Sequence, residues 1–319
     1  MREPTTRPDQ HHFFADLDET PLLGVDAVDE HAAPASMWQD AWRNLRRRVL
    51  FWISAVLIVL VLAVAIVPSL FTSIDPNAND ACDLSHSLEG PSAGHLMGYT
   101  FQGCDVYARV VYGARPSITV GVLTTIIVVL IGVAVGALAG FYGGWFDSLL
   151  SRVTDIFFAI PFVLAAIVVM SSLKAHRGVI TVIIVLGVFG WPQVARITRG
   201  AVLGLKNSDF VTASTALGTT RMTTLRRHIL PNAAAPIIVY ATVALGTFIV
   251  AEATLSFLGI GLPPSVISWG ADISQAQRNI RTDPMVLFWP AAALAITVLS
   301  FIMMGDVVRD ALDPKARKR

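Results

Sequence analysis

Six long apolar runs, separated by segments that are shorter or more polar, set the pattern of this chain. They extend from Leu50 to Phe71, Pro116 to Phe141, Ile156 to Leu173, Val179 to Val194, Ala233 to Leu258 and Val286 to Met304. A helix needs roughly 20 apolar residues to cross the hydrocarbon core of a bilayer. In lipid every backbone N–H and C=O must pair within the protein, so continuous runs of this length predict helices; barrel strands would be shorter and would alternate. The fourth run is the shortest and carries Trp191-Pro192 near one end. The first begins about fifty residues into the chain and is too long for the apolar region of a signal peptide, so it is read as a span. The predicted class is all-α, a polytopic membrane protein with six transmembrane helices.

Composition agrees. Of 319 residues, 54% are hydrophobic and 15% charged, and the mean hydropathy is +0.61. A soluble domain carries about 25% charged residues, and disorder of the bulk would need low hydrophobicity with high net charge. The net charge of +1 provides no global basic field, so nucleic acid is not an expected partner. Two cysteines can build neither a disulfide scaffold nor a four-thiolate zinc site. Cytoplasmic segments of membrane proteins are enriched in Lys and Arg. Placing the N-terminus inside puts 18 of the 24 Lys and Arg residues on the cytoplasmic side, and the opposite choice inverts that ratio. Both termini are therefore expected in the cytoplasm, with the bilayer of the cytoplasmic (inner) membrane as the solvent of the chain.

The segments between the spans follow from this frame. Residues 1–37 hold eight acids against Arg2 and Arg7, carry several prolines and lack periodicity, which predicts a disordered acidic tail. Its His11, His12 and His31 lack the convergence that a metal site needs, and no metal is expected. Trp38 to Arg48 reads as an amphipathic helix on the membrane surface, its arginines towards anionic headgroups. Residues 38–115 thus comprise this helix, the first span and an external loop. The loop carries Cys82 and Cys104, which are either a disulfide closing 22 residues, permitted outside the cytosol, or two thiols. Residues 116–310 form a core of five spans, and 311–319 a basic tail. Within the spans, Glu252 stands where a charge costs about 2.5–3.5 kcal/mol. It either lines a path or takes up a proton, or it is a buried group bonded to a neighbouring helix. Asp147, Arg152 and Asp155 suggest an interfacial brace in which Arg152 and Asp155 form an i,i+3 pair. Gly132, Gly136 and Gly140 form a small-residue face for close helix packing.

The segment richest in information is the cytoplasmic loop 195–232. It has helical spacing on both sides of Gly218, with Val211, Ala213, Ser214 and Leu217 as a small, mildly apolar face. Gly218 permits a left-handed turn, and Leu230-Pro231 opens the next span, proline being suited to a first helical turn. Such a helix-turn-helix offers a docking surface; the alternative is an amphipathic loop resting on the membrane. Thr212-Ala213-Ser214 with Gly218, followed by Ile229-Leu230-Pro231, resembles the "EAA" loop of ABC-importer permeases. Tyr112-Gly-Ala-Arg115, Ala159-Ile-Pro161, Trp191-Pro192 and Arg227-His228-Ile-Leu-Pro-Asn232 match in order. So do Glu252-Ala-Thr-Leu-Ser-Phe-Leu-Gly259, Ser268-Trp-Gly270 and Arg309-Asp-Ala-Leu-Asp-Pro314. Over about residues 38 to 314 the chain resembles the dipeptide/oligopeptide permease family, and within it the C-type second subunit.

The resemblance implies a type I ABC-importer permease fold and import of di- or oligopeptides. It also implies a homologous second permease forming a heterodimer, two ATPase subunits, and an extracellular or periplasmic peptide-binding protein. Asp209, Thr212, Ala213, Ser214, Leu217, Gly218, Arg221, His228, Leu230 and Pro231 would form the ATPase-coupling loop. Two departures stand out: Thr212 and Ser214 replace the family's glutamate and second alanine, and Cys104 stands where the family usually has arginine, which favours the disulfide. The chain has no Gly-x-x-x-x-Gly-Lys phosphate loop and no catalytic constellation, so it is expected to bind no cofactor and to be no enzyme. ATP and Mg would act in the partner subunits. Two alternatives are a permease of the same family carrying nickel, glutathione or another small solute, and a secondary transporter driven by an ion gradient. The latter class tends to pair ionisable groups in the membrane, and Glu252 has no visible partner.

Overall fold

The computed structural model describes residues 37–312; the acidic tail with its three histidines and most of the basic tail lie outside the described residues. Eleven α-helices account for most of the rest: α1 (Met37–Leu45), α2 (Val49–Ile66), α3 (Val106–Tyr142), α4 (Gly144–Ala159), α5 (Phe162–Ser172), α6 (Val179–Leu205), α7 (Asp209–Ala216), α8 (Arg221–Thr224), α9 (Leu230–Phe257), α10 (Trp269–Ala276) and α11 (Met285–Leu312). Five helical stretches are long and apolar enough to span a bilayer, and the bent pair α4–α5 makes a sixth if it is one span.

The helix ends differ from the apolar runs, each for a local reason. α2 stops at Ile66, and Pro68 opens a short 3₁₀ turn. α3 starts ten residues before the apolar run, at Val106, because the Asp105 carboxylate caps it by accepting the Ala108 amide at 2.6 Å. The two arginines this adds are both satisfied. Arg115 donates to the carbonyls of Ala65 and Ile66 at 3.2 and 3.0 Å, groups that the end of α2 leaves free. Arg109 donates through Nε and Nη2 to Asp272 Oδ1 on α10. The amphipathic helix ends at Leu45, short of Arg48, whose guanidinium reaches Asp310 at 2.6 Å. α6 passes Pro192 and continues to Leu205, so only part of segment 195–232 is loop.

The third span is broken. α4 and α5 meet at 77° across Ile160-Pro161. The missing N–H of Pro161 removes one helical bond, and its ring disfavours helical geometry at Ile160; Ile160 is extended, at φ −90° and ψ 121°. α4 is held to α6 by ion pairs. Arg199 grips both oxygens of Asp147 at 2.7 Å, and Arg196 approaches Asp155 at 3.5 Å. The brace predicted within α4 is thus corrected: Asp155 pairs across helices with Arg196, not along its own helix with Arg152.

Gly132, Gly136 and Gly140 face α6 along the α3 seam. A methyl group on Gly136 would strike the Ala195 carbonyl oxygen, and one on Gly140 would lie 2.9 Å from that of Arg199. The main apolar core lies beside this seam, where Val120 and Val128 of α3, Leu186 and Val194 of α6, and Phe248 and Leu255 of α9 are buried together.

Between α2 and α3, residues 67–105 form a small lobe. Cys82 and Cys104 are bonded to each other, and their backbones also meet in an isolated antiparallel bridge. Unreduced protein is expected to resist thiol alkylation until a reductant is added. Replacing either cysteine should lower the melting temperature, since a crosslink of this span contributes up to about 3 kcal/mol in the chain-entropy model. Full alkylation without reductant would refute the bond.

Candidate functional site

The end of the bundle opposite the disulfide lobe is closed by α7, α8 and a π-helical turn at Leu225–Ile229 that runs into α9. After α6, Ser208 takes extended backbone (φ −73°, ψ 156°) and α7 begins at Asp209, an acid in the first turn where the helix dipole favours it. α7 ends at Gly218. Its φ of +82° lies in the left-handed region, and the Gly218 and Thr219 amides donate to the carbonyls of Thr215 and Ser214 at 3.0 and 3.2 Å. That double bond pattern is a Schellman end, in which glycine is favoured because it carries no side-chain penalty. Thr220 then caps α8, its side chain accepting the Thr223 amide. Pro231 occupies the first turn of α9, where no N–H is required.

Packing separates two faces. Val211, Leu225 and Ile229 are buried against Ala137 of α3 and Val202 of α6, and the element is thereby fixed to the bundle. Facing away are Phe210 and Met222, both about two-fifths exposed, and Leu217, the most exposed large apolar side chain at 87%. Arg221, Arg226 and Arg227 are exposed beside them. The four-residue face expected from the spacing is therefore corrected. Val211 and Ser214 point inward, whereas Ala213, two positions from Val211 and so on the opposite side of the helix, and Leu217, beyond the end of α7, point outward. Thr212 is exposed, His228 is half-buried, and the His228 carbonyl accepts from Asn232 Nδ2 at 2.6 Å. An apolar knob in a basic surround suits a protein groove with an acidic rim.

Glu252 lies elsewhere, near the far end of α9, with no solvent exposure. Its Oε1 accepts from Ser256 Oγ at 2.7 Å, and Ser256 Oγ in turn accepts the Leu262 amide at 3.2 Å. That partner is one turn along its own helix, and the hydroxyls of Ser117 on α3 and Ser268 at the start of α10 also face the carboxyl, as expected of a buried group held by neighbouring helices. Glu252 secures the turn after α9 and is remote from α7.

Two features escaped the sequence. Arg109 and Asp272 are 163 positions apart, and nothing local links them. The break at Pro161 was visible as a proline inside an apolar run, a signal that length alone overrode.

Comparison with known proteins bears on the whole chain. Residues 132–318 match the family model described as "Binding-protein-dependent transport system inner membrane component", and residues 36–91 match the "N-terminal TM domain of oligopeptide transport permease C". The glutathione transport system permease protein GsiD of Escherichia coli O6:K15:H31 is 38% identical over 303 residues, covering 95% of this chain and 97% of that protein. GsiD of Shigella dysenteriae serotype 1 is 37% identical, covering 94% and 96%. Among solved structures, two inward-facing forms of the MetNI methionine ABC transporter align at TM-scores of 0.52 and 0.55, with 22% and 23% identity over 64% of this chain and 96% of theirs. That likeness concerns the fold.

Proposed function

The chain belongs to the family of binding-protein-dependent inner-membrane transport components and is a multi-pass permease subunit of an ABC importer; on that premise we propose that it is one half of a peptide channel. A homologous second permease completes the channel. Two ATPase subunits dock at the cytoplasmic end, and an external binding protein delivers the peptide. ATP and Mg act in the ATPases; this chain holds no cofactor and transmits their motion. One observation carries the proposal: the α7–α8 element, fixed to α3 and α6 by its buried face, presents Phe210, Leu217 and Met222 outward at the end of the bundle. Force applied there reaches the helix core without passing through a flexible linker.

The mechanism follows from the same geometry. Closure of the ATPase pair on ATP binding displaces α7, and α6 and α9, which flank the element, move with it. The spans then open alternately to each side. Short peptides are the substrate class that fits the family, and the similarity to glutathione permeases favours a small peptide of that size as the second reading. The excess of Lys and Arg at the α7 end supports a cytoplasmic location for it.

Topology and coupling can be tested together in a background lacking both native cysteines. Asn207→Cys should be shielded from an impermeant thiol reagent added to intact cells, while Ser265→Cys, in the turn after α9, should react. Uptake of a labelled tripeptide should require the ATPase subunits. Labelling at position 207, or uptake in cells depleted of the ATPases, would overturn the proposal.

A further inference from the structure

The break between α4 and α5 lies four residues into the third apolar run, and it faces two other helices. A cleft of about 360 Å³ is lined there by both sides of the break, by Phe189 and Gln193 of α6, and by Tyr240 and Phe248 of α9. Phe189 to Gln193 and Tyr240 to Phe248 are close to the centres of helices Val179–Leu205 and Leu230–Phe257. The apolar run of α6 ends at Val194, so the cleft lies towards the α7 end of the runs, one helical turn from Arg196.

Three properties of the cleft point one way. First, its backbone is open. Ile160 N donates to Phe157 O and Ala165 N to Pro161 O, but among the described residues the carbonyls of Phe158 and Ile160, both lining the cleft, have no backbone donor. Nor does the amide of Phe162 have an acceptor. In hydrocarbon each such group costs several kcal/mol, and irregular backbone within a span is tolerated only where it is buried in protein or lines a wet cavity. Second, no charged side chain lines the cleft. The nearest charges are already engaged, since Arg196 pairs with Asp155 and lies 4.1 Å over the Phe158 ring. Third, the walls are aromatic. The Phe162 and Phe248 rings meet at 5.8 Å, those of Phe157 and Phe189 at 6.1 Å, and Gln193 contributes an amide with no hydrogen-bond partner among the described residues.

Open backbone donors and acceptors beside uncharged aromatic walls are the complement of a peptide main chain carrying an apolar side chain. We infer that the α4–α5 break is a substrate-contact site of the channel, binding peptide backbone at the break and an uncharged side chain among the rings. The inference rests on the peptide-import reading above. Backbone pairing ignores side-chain identity, so the site accepts many sequences. The absence of a countercharge sets its one restriction, because a charged side chain would enter without a partner. An acyl chain of a lipid could fill the same volume, but it would leave every open N–H and C=O unpaired.

The complete transporter, reconstituted in nanodiscs with its ATPases and binding protein, provides the test. The probe is trileucine with a photoreactive diazirine leucine at its central position. On illumination the label should map to Phe157–Phe162, Gln193 or Tyr240, and unlabelled trileucine should displace it at least tenfold better than trilysine at equal occupancy of the binding protein. Gln193→Leu and Tyr240→Leu, both volume-tolerant, should each reduce trileucine uptake several-fold while ATPase stimulation by loaded binding protein persists. Uptake of the probe with labelling elsewhere in the chain, or with capture by lipid alone, would overturn this site and leave peptide import standing. No uptake of trileucine or trilysine would instead overturn peptide import, and this site with it.

Discussion

Gly218→Val should abolish uptake while leaving insertion and the six spans intact. A side chain at this position meets no atom within 4 Å, so the effect is not a clash. It comes from the backbone, whose φ of +82° is a genuine outlier for a β-branched residue. Left-handed geometry costs an ordinary L-residue about 1–2 kcal/mol, and valine escapes that cost by leaving the turn, which lengthens or redirects α7. Leu217 and Met222 then lose their common presentation. The expected readouts are loss of ATPase co-purification, or basal hydrolysis that loaded binding protein no longer stimulates. Gly218→Asn should retain function, because asparagine enters the left-handed region readily. Thr212→Glu, which installs the family's residue at an exposed position, should also be tolerated. Equal loss in the Asn and Val variants would show that the turn geometry is not what matters.

Asp272→Ala should be the most destabilising single change at the opposite end. The side chains of Arg109 and Asp272 are 13% and 9% exposed, so removing the carboxylate leaves a guanidinium enclosed without its countercharge. Breaking a buried pair in this way costs about 3–5 kcal/mol. Thermal unfolding in detergent should show a clear drop in melting temperature, with reduced accumulation in the membrane. The double variant Arg109→Met with Asp272→Leu should recover much of the loss, since apolar replacement of a buried pair is often neutral or better. A double variant as unstable as Asp272→Ala would place the stabilisation in packing around α10 instead of in the charges.

These two sites also mark how far the sequence carries. The helical class, the spans and the family were legible because burial in lipid imposes a continuous apolar run that no tertiary context can hide. The turn at Gly218 was legible for a related reason: its geometry is fixed by one residue type within a few positions. Helix ends were not. Arg109 and Arg115 look like loop residues, yet both lie inside α3, one neutralised by a carboxylate 163 positions away and the other hydrogen-bonded to the free carbonyls of α2. The direction in which Leu217 points depended on where α7 stopped, a difference of one residue that the spacing alone did not resolve. Asp155 had a cation within its own helix and a better-placed one on α6, and choosing between them needs the angle at which α4 crosses its neighbour.

The glycine seam has a mechanical consequence. Where one helix presents only backbone and its partner only short, β-branched side chains with one or two preferred rotamers, two helices have few rotamers to exchange in sliding past each other. Along Gly132, Gly136 and Gly140, α3 presents bare backbone to Val194, Thr198 and Val202 and to the carbonyls of Ala195 and Arg199 on α6. The two helices are best regarded as one stiff beam, with the α7 knob attached at one end and the Arg109 anchor at the other. On the coupling proposed above, a displacement imposed at the α7 end is carried along this pair, and the compliance of the subunit is left to the jointed third span beside it.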